Sequence, residues 1–426
     1  MKNDKREKES SNVDERQDSS KNYKLINKIY LCHLNNVIGS GTFGKVLYCT
    51  TVDGKNEFAI KFEKSTVKSS VIEIEYEIYE HLQGGEGIPK IAWIGEYKKY
   101  KLMVMELLGP SLDKFFIYCQ RKFSPITTAM IGIEMVKRIQ YIHSRGFLHR
   151  DIKPNNFMLG KFSKNLEYVN DKTVYVIDFG LSKEYIDFET EEHLPFKDGR
   201  RFIGTPRYAS IGTHLGYRQS RRDDLESIAY ILIYFMLGDL PWQGVKAKSK
   251  GEKKEKILEI KLKTNFLSDK RIPKELLTIL DYSKNLKYEE KPEYKLIYNL
   301  LSKIIKSNVS DYSSFDTKQH LWEWNVKMLS AIESENDLKR EESAFEKLFD
   351  GYPVNSFELY LKKIRDLNLY SSNRIPTTSS TTSNTNPNPN YLKKEENSED
   401  GDLYEKSPSK KKEINISKLQ SNLKHK

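Results

Sequence analysis

Between residues 23 and 104, apolar and polar positions alternate in short runs broken by turn residues, the pattern of half-buried strands. Val37-Ile-Gly-Ser-Gly-Thr-Phe-Gly-Lys-Val-Leu-Tyr reads as strand, glycine turn, strand, and Asp53-Gly54 marks a hairpin turn before Glu57-Phe-Ala-Ile-Lys-Phe. Within this stretch residues 71–82 change period. Ile74, Ile78 and Leu82 recur every four residues, which predicts an amphipathic helix closed by Gly84-Gly85. Beyond Gly109-Pro110 the helical period takes over, most clearly over residues 129–143 and 224–237. The longest apolar run, 228–237, is about half of what a membrane span needs and reads as a buried helix. A small β-rich piece followed by a larger helical one predicts an α+β pair of lobes with a crevice between them, the small lobe at about 23–108 and the large lobe at about 109–328. Residues 329–375 are expected to form a helical extension. Residues 331–348 read as one charged amphipathic helix, and residues 351–370 resemble 272–288 of the same chain, a helix expected to dock on the large lobe.

Composition sharpens this outline at its ends. Residues 1–22 are polar and charged with almost no apolar content, and 376–426 contain the low-complexity run Pro376-Thr-Thr-Ser-Ser-Thr-Thr-Ser-Asn-Thr-Asn-Pro-Asn-Pro-Asn; both segments are expected to be disordered. Lys and Arg number 71 and Asp and Glu 60, a net charge of +11. Residues 1–20 carry −1 and residues 376–426 carry +2, so +10 belongs to the folded middle. Such an excess favours polyanionic partners. The three cysteines, Cys32, Cys49 and Cys119, are too few and too widely spaced for a disulfide scaffold or a four-cysteine zinc site. The N-terminus has no apolar core of a secretory signal, and an intracellular protein without a transmembrane segment is expected.

Four motifs carry chemistry. Gly39-Ser40-Gly41-Thr42-Phe43-Gly44-Lys45-Val46 is a G-x-G-x-x-G-x-V loop, whose glycines let the backbone fold over phosphate oxygens and point N–H groups at them. A strand follows it, not the helix that a dinucleotide-binding turn requires. In Ala59-Ile60-Lys61 a lysine sits in a buried strand, which is costly unless its ammonium meets an anion. A phosphate and a helix carboxylate are its natural partners. Glu73, Glu75, Glu77 and Glu80 lie on the following helix, and Glu75 flanks the apolar face and can point into the crevice. His149-Arg150-Asp151-Ile152-Lys153-Pro154-Asn155-Asn156 gathers an aspartate, a lysine and an asparagine in a compact loop able to hold a hydroxyl, a phosphate and a metal ion together. In Val174-Tyr-Val-Ile-Asp178-Phe179-Gly180 an apolar strand ends in a carboxylate followed by glycine, which aims an oxygen ligand at Mg²⁺.

Each motif alone has an ordinary reading as a turn. In this order and these contexts they form the protein-kinase signature set, and the sequence resembles a eukaryotic protein kinase. Lys153 after Asp151 resembles the serine/threonine type. Leu82-Gln-Gly-Gly-Glu-Gly-Ile-Pro, Val104-Met-Glu-Leu-Leu-Gly-Pro-Ser-Leu, Gly204-Thr-Pro-Arg-Tyr-Ala-Ser-Ile-Gly-Thr-His-Leu-Gly, Gln219-Ser-Arg-Arg-Asp-Asp-Leu-Glu-Ser and Leu240-Pro-Trp-Gln-Gly-Val-Lys-Ala are similar to the casein kinase 1 family, over about residues 30–328. Ser210-Ile211-Gly212 stands where most kinases have Ala-Pro-Glu. The resemblance implies a bilobal kinase that moves the γ-phosphoryl of ATP to Ser or Thr with Mg²⁺. By fit to the motifs, Asp151 orients the hydroxyl and takes its proton, and Lys153 neutralises the γ-phosphoryl. Asn156 and Asp178 hold Mg²⁺, and Lys61, fixed by Glu75, grips the α- and β-phosphates. The backbone at Gly39, Gly41 and Gly44 covers the phosphates. Ile38, Val46 and Ala59 sandwich the adenine beside a hinge running from Met105 to Leu108. Asp224 braces the catalytic loop from below. Arg207, with Lys250 and Lys253, fits an anion pocket for a phosphate or acidic group upstream of the target, so acidic or phosphorylated protein substrates are expected.

Three positions depart from the family pattern: Asn155 replaces an acidic residue, Lys114 stands where an acidic residue is usual just past the hinge, and Pro206 replaces a small alanine and stiffens its turn. None removes a catalytic group. A pseudokinase scaffold would have lost Lys, Asp or Asn at one of these places, and all are present. No nucleic-acid-binding signature appears, so no specific nucleic acid is expected, and a monomer acting in cytoplasm or nucleus completes the reading.

Overall fold

Alternation along the first strands closes into one sheet. The computed structural model describes residues 23–26, 30–41, 44–65, 70–160, 172–310, 312–313, 315–316, 320–334, 338–353 and 355–372. The two segments expected to be disordered, and Thr42 and Phe43 of the glycine loop, lie outside these residues. Strands β1 (Tyr23–Ile26), β2 (Tyr30–Gly41), β3 (Gly44–Thr51), β4 (Glu57–Lys64), β5 (Ile91–Tyr97) and β6 (Tyr100–Glu106) pair antiparallel in the order β1-β2-β3-β4-β6-β5. The period of two divides their side chains between two faces. Leu47, Cys49, Ile60, Leu102 and Val104 pack into a separate cluster on one face. Tyr48, Ala59, Met103 and Met105 join the main core on the other. Cys49 and Cys119 are buried free thiols.

Helix α1 (Val71–Leu82) follows β4, and its N-cap Ser70 accepts from the Glu73 amide. The face expected from Ile74, Ile78 and Leu82 is corrected in phase. Ile74 is 41% exposed, and the helix buries Ile72, Glu75, Ile78, Tyr79 and Leu82 instead. A carboxylate therefore sits in the middle of the buried face, because its cation lies across from it on β4.

The large lobe is helical: α2 (Leu112–Tyr118), α3 (Pro125–Ser144), α4 (Ile211–His214), α5 (Arg221–Leu237), α6 (Lys250–Lys263), α7 (Lys274–Asn285), α8 (Tyr294–Asn308) and α9 (Glu323–Glu333). α5 is buried along nearly its whole length, as its unbroken apolar run demands, and α3 packs between it and α8. Two short strand pairs, β7 (Phe147–Leu148) with β10 (Lys183–Glu184) and β8 (Phe157–Leu159) with β9 (Val174–Val176), hold the loops that face the crevice. This is the α+β, two-lobed architecture that the pattern implied. Among the described residues no helix is long and apolar enough to cross a membrane.

The single helix expected over 331–348 is two. α9 ends at Glu333, and α10 (Leu338–Glu346) begins anew before a short 3₁₀ turn, Lys347–Phe349. The intervening Ser-Glu-Asn-Asp stretch is poor in helix formers. α10 buries Phe345 against Phe115 and Tyr118 of α2. α11 (Asn355–Ser372) follows, its Tyr360 hydroxyl donating to Asn325 of α9. A first compact unit comprises residues 1–366, and of the second, 367–426, only the end of α11 is described.

Candidate active site

On β4 the alternation that sends Phe58, Ile60 and Phe62 to the outer cluster turns Ala59 and Lys61 to the cleft. Lys61 is buried, and its ammonium lies 2.6 Å from Glu75 Oε2 and 3.0 Å from Asp178 Oδ1. Burial alone would push this ammonium down, but the two carboxylates outweigh it and hold the group above its ordinary value. Glu75 is 1% exposed, and that burial pushes its carboxyl up against the pull of Lys61. Burial acts in the same sense on Asp178, yet Lys61, Lys153 and His149 together hold its carboxyl below the ordinary range.

Asp178 caps a 3₁₀ turn (Phe179–Leu181) at the end of β9 and has left-handed backbone angles, φ 70° and ψ 66°. Phe179, wholly buried, packs edge-on against Tyr79 of α1 at 4.8 Å and at a tilt against His149 at 5.4 Å, so helix, turn and loop share one contact. The loop of residues 149–156 lies opposite. His149 donates from Nε2 to the Ile177 carbonyl (3.0 Å), and Nδ1 accepts from the Asp151 amide (3.3 Å). Arg150, at φ 66°, donates through Nε to the Leu181 carbonyl at 2.7 Å. Asp224 of α5 holds this loop from beneath: its carboxylate accepts from the backbone amides of His149 and Arg150 and from His143 Nε2, each at 2.9 Å. The His143 ring in turn accepts at Nδ1 from the Tyr294 hydroxyl of α8 at 2.7 Å.

Asp151 is fixed at both oxygens. The Lys153 ammonium donates to Oδ2 at 2.5 Å and the Thr205 hydroxyl to Oδ1 at 2.7 Å. Asn156 donates its amide N–H to the Asp151 carbonyl at 3.0 Å, which leaves its amide oxygen as the donor atom available to a cation. Lys153 also lies 4.0 Å from Asp178 Oδ2. Glu75, Lys61, Asp178, Lys153 and Asp151 thus form one row of charges alternating in sign from α1 to the loop of residues 149–156. An ionised Asp178 and the Asn156 amide are hard oxygen ligands, few enough to share a divalent cation with phosphate oxygens.

Above the row, β2 and β3 meet at Gly39, Gly41 and Gly44, where Gly41 pairs with Gly44 and Gly39 with Val46. A side chain at Gly44 would meet the Phe62 carbonyl at 1.9 Å, so this position fits glycine alone and keeps the loop backbone close to β4. Ala59 and Met105 are register partners in the main core, Ile38 and Val46 pack against the same core, and Leu108 is buried.

The residues expected to form an anion pocket are placed less closely. Arg207 lies with its guanidinium 5.7 Å from the Tyr208 ring and 5.9 Å from the Tyr234 ring. Lys250 and Lys253 are exposed in the first turn of α6. What fixes Arg207 is its backbone. Trp242 Nε1 donates to the Arg207 carbonyl at 2.7 Å, and Lys261, buried in α6, donates to the carbonyls of Pro206 (3.1 Å) and Ala209. Burial pushes the Lys261 ammonium down to about 7, and it lies 4.7 Å from the Tyr230 ring and 5.0 Å from the Trp242 ring. Neither Thr205 nor Lys261 has a sequence signal of its own, since each acts on a residue more than 50 positions away.

His214 donates from Nε2 to the same Pro206 carbonyl at 3.2 Å. Burial, with Lys261 and Lys254 nearby, pushes its imidazole down to about 3, well below the ordinary 6.5. The unfolded chain therefore binds a proton between these values that the folded chain refuses. Stability from this group is complete above pH 6.5 and is lost as pH falls below it, by about 1–2 kcal/mol at pH 5. His214→Gln, which can still donate to Pro206, is expected to flatten the pH dependence of the urea midpoint between pH 7 and 5. An unchanged slope would assign the acid sensitivity to other groups.

Compared with known families, the chain matches the family model described as protein kinase domain over residues 32–322, more than half of its length.

Proposed function

Because this chain belongs to the protein kinase domain family, with its two-lobed α+β fold and its use of ATP and divalent metal in phosphotransfer to proteins, we propose that it is a serine/threonine kinase of casein kinase 1 type that uses Mg²⁺ and acts on acidic or already phosphorylated proteins. The observation that carries this reading is the row of alternating charges, in which Lys61 sits between Glu75 at 2.6 Å and Asp178 at 3.0 Å while Asp151 meets Lys153 at 2.5 Å.

Phosphoryl transfer asks for alignment and charge neutralisation more than covalent help. Lys61 grips the α- and β-phosphates, and Glu75 sets its direction. The glycine loop covers the phosphates with backbone N–H groups, and Ile38, Val46 and Ala59 enclose the adenine against Met105 and Leu108. Asp178 and the amide oxygen of Asn156 would hold Mg²⁺, which when bound would supply positive charge to the phosphate oxygens. Asp151 receives the substrate hydroxyl and its proton on lone pairs that Thr205 and Lys153 leave open. Lys153, within 4.0 Å of Asp178, neutralises the charge that develops on the γ-phosphoryl in flight. Lys153 and Thr205 on one aspartate support the serine/threonine assignment.

The casein kinase 1 type rests on the motifs quoted above and on Ser210-Ile211-Gly212. Where most kinases have Ala-Pro-Glu, Ser210 caps α4 and donates to Asp223, and the Ile211 amide donates to Glu226 at 2.9 Å, so a hydrogen-bonded cap does the anchoring. An arginine on a stiffened, doubly anchored turn suits bidentate phosphate, and Lys250 and Lys253 add point charge. One peptide, phosphorylated or not three residues before its target serine, tests this. The phosphorylated form is expected to be used roughly tenfold better or more in kcat/KM, and Arg207→Ala should erase the difference. Equal rates for the two peptides remove the pocket. We also propose that the protein works as a monomer inside the cell, in cytoplasm or nucleus, where ATP is at hand.

A further inference from the structure

The family match ends at residue 322, yet the chain returns to the cleft beyond it. Within six residues after α10 it touches both lobes and the connection between them. The Leu348 carbonyl accepts from the Lys114 ammonium of α2 at 2.9 Å. The Tyr352 hydroxyl, buried, donates to the carbonyl of Gly109 at 2.9 Å, one residue past Leu108. Between them Gly351, at φ +85°, lies flat against β2: a side chain there would meet the Val37 carbonyl oxygen at 2.2 Å and the Ile38 nitrogen at 3.0 Å. Ile38 is the residue that leads into the glycine loop.

This contact also gives a role to a residue that the catalytic machinery leaves unused. Lys114 stands where an acidic side chain was expected. Its ammonium both holds Leu348 and lies 5.6 Å from the centre of the Tyr352 ring, and an acidic group at this place could do neither. Phe345 before the 3₁₀ turn stacks with Tyr360 of α11 at 5.0 Å, and Phe349, the last residue of the turn, packs tilted against the same ring at 5.7 Å. The segment is therefore held by packed rings, not laid loosely on the surface.

We propose that residues 348–352 are a built-in strap across the mouth of the nucleotide cleft, with Gly351, Tyr352 and Lys114 as positioning residues that set how tightly the adenine nucleotide is held. The strap ties the strand above the nucleotide to the connection beside it, so the two walls keep a fixed spacing. Loosening it lets the small lobe swing and weakens nucleotide binding without touching phosphate chemistry or the protein-substrate surface.

Tyr352→Phe keeps the ring and removes the hydrogen bond; Gly351→Ala pushes the segment off β2. For both, ADP binding is followed by fluorescence titration, and KM for ATP, KM for casein and kcat are measured separately. Tyr352→Phe is expected to raise the ADP dissociation constant and the ATP KM about fivefold, with kcat and the casein KM unchanged, and Gly351→Ala to do so more strongly. ADP binding does not require the casein kinase 1 assignment, so a failure of that assignment leaves this readout standing. Unchanged nucleotide affinity in Tyr352→Phe overturns the proposal, whether or not Gly351→Ala folds. So does a fall in melting temperature with no selective change in ATP KM, which would mark the segment as packing alone.

Discussion

Asp178→Asn is expected to fold as the natural protein does and to label casein with phosphate at least ~10³-fold more slowly, a loss of several kcal/mol of transition-state stabilisation. The substitution keeps volume and one oxygen, so Phe179 can remain packed on Tyr79 and His149. It removes a negative charge from the middle of the alternating row. A cation shared between Asn156 and position 178 would lose its one ionised ligand, and Lys61, now facing Glu75 alone, would be drawn toward α1 and away from the phosphates. Nucleotide binding should weaken much less than turnover, because Ile38, Val46, Ala59 and the glycine loop are untouched. Phosphate incorporation into casein, measured beside a thermal melt, decides it. A variant that melts normally and keeps natural activity would end the assignment of Asp178.

Asp224→Asn is expected to act on stability and activity together. Three donors converge on this carboxylate: two backbone amides and His143. An asparagine can offer acceptor pairs on one oxygen only and turns an N–H toward at least one of them. With the site fully buried, breaking it costs about 3–5 kcal/mol, a fall in melting temperature of roughly 10 °C. The same change frees Arg150 from the constraint that keeps it at φ 66°, so Asp151 loses its aim and kcat should drop more than the folded fraction explains. Scanning calorimetry with activity per folded molecule separates the two effects. A melting temperature within about 2 °C of the natural value with full kcat would mean that the loop does not depend on this brace.

Legibility in the sequence followed the range of the interaction. Strand alternation, the glycine turn and the α5 run are local, and they placed the two lobes. The loop of residues 149–156 was readable because Asp151, Lys153 and Asn156 lie within six residues of one another and meet in space as they do in sequence. The phase of α1 was not readable: Ile72, Ile74 and Ile78 offer two possible faces, and Glu75 counts as polar until Lys61 neutralises it from another strand. The break at 334 was hidden by a charge pattern that continues through it. Thr205 and Lys261 carry no local sign, since a hydroxyl on Asp151 and an ammonium on two carbonyls arise only when distant segments pack. Lys114 was visible as a departure and not as a contact, because its partners lie 234 and more residues downstream.

That distance bears on the order in which the molecule can be completed during synthesis. The Tyr352 hydroxyl and the Gly109 carbonyl it meets are separated by 243 positions. At a ribosomal pace of roughly 5–20 residues per second, Gly109 and the residues proposed to enclose the adenine are synthesised more than about ten seconds before Tyr352. Lys61, Glu75, Asp151, Lys153, Asn156 and Asp178, the groups proposed to carry the chemistry, all lie upstream of that segment, so a nascent chain would complete its charged row first and the proposed hold on the nucleotide last.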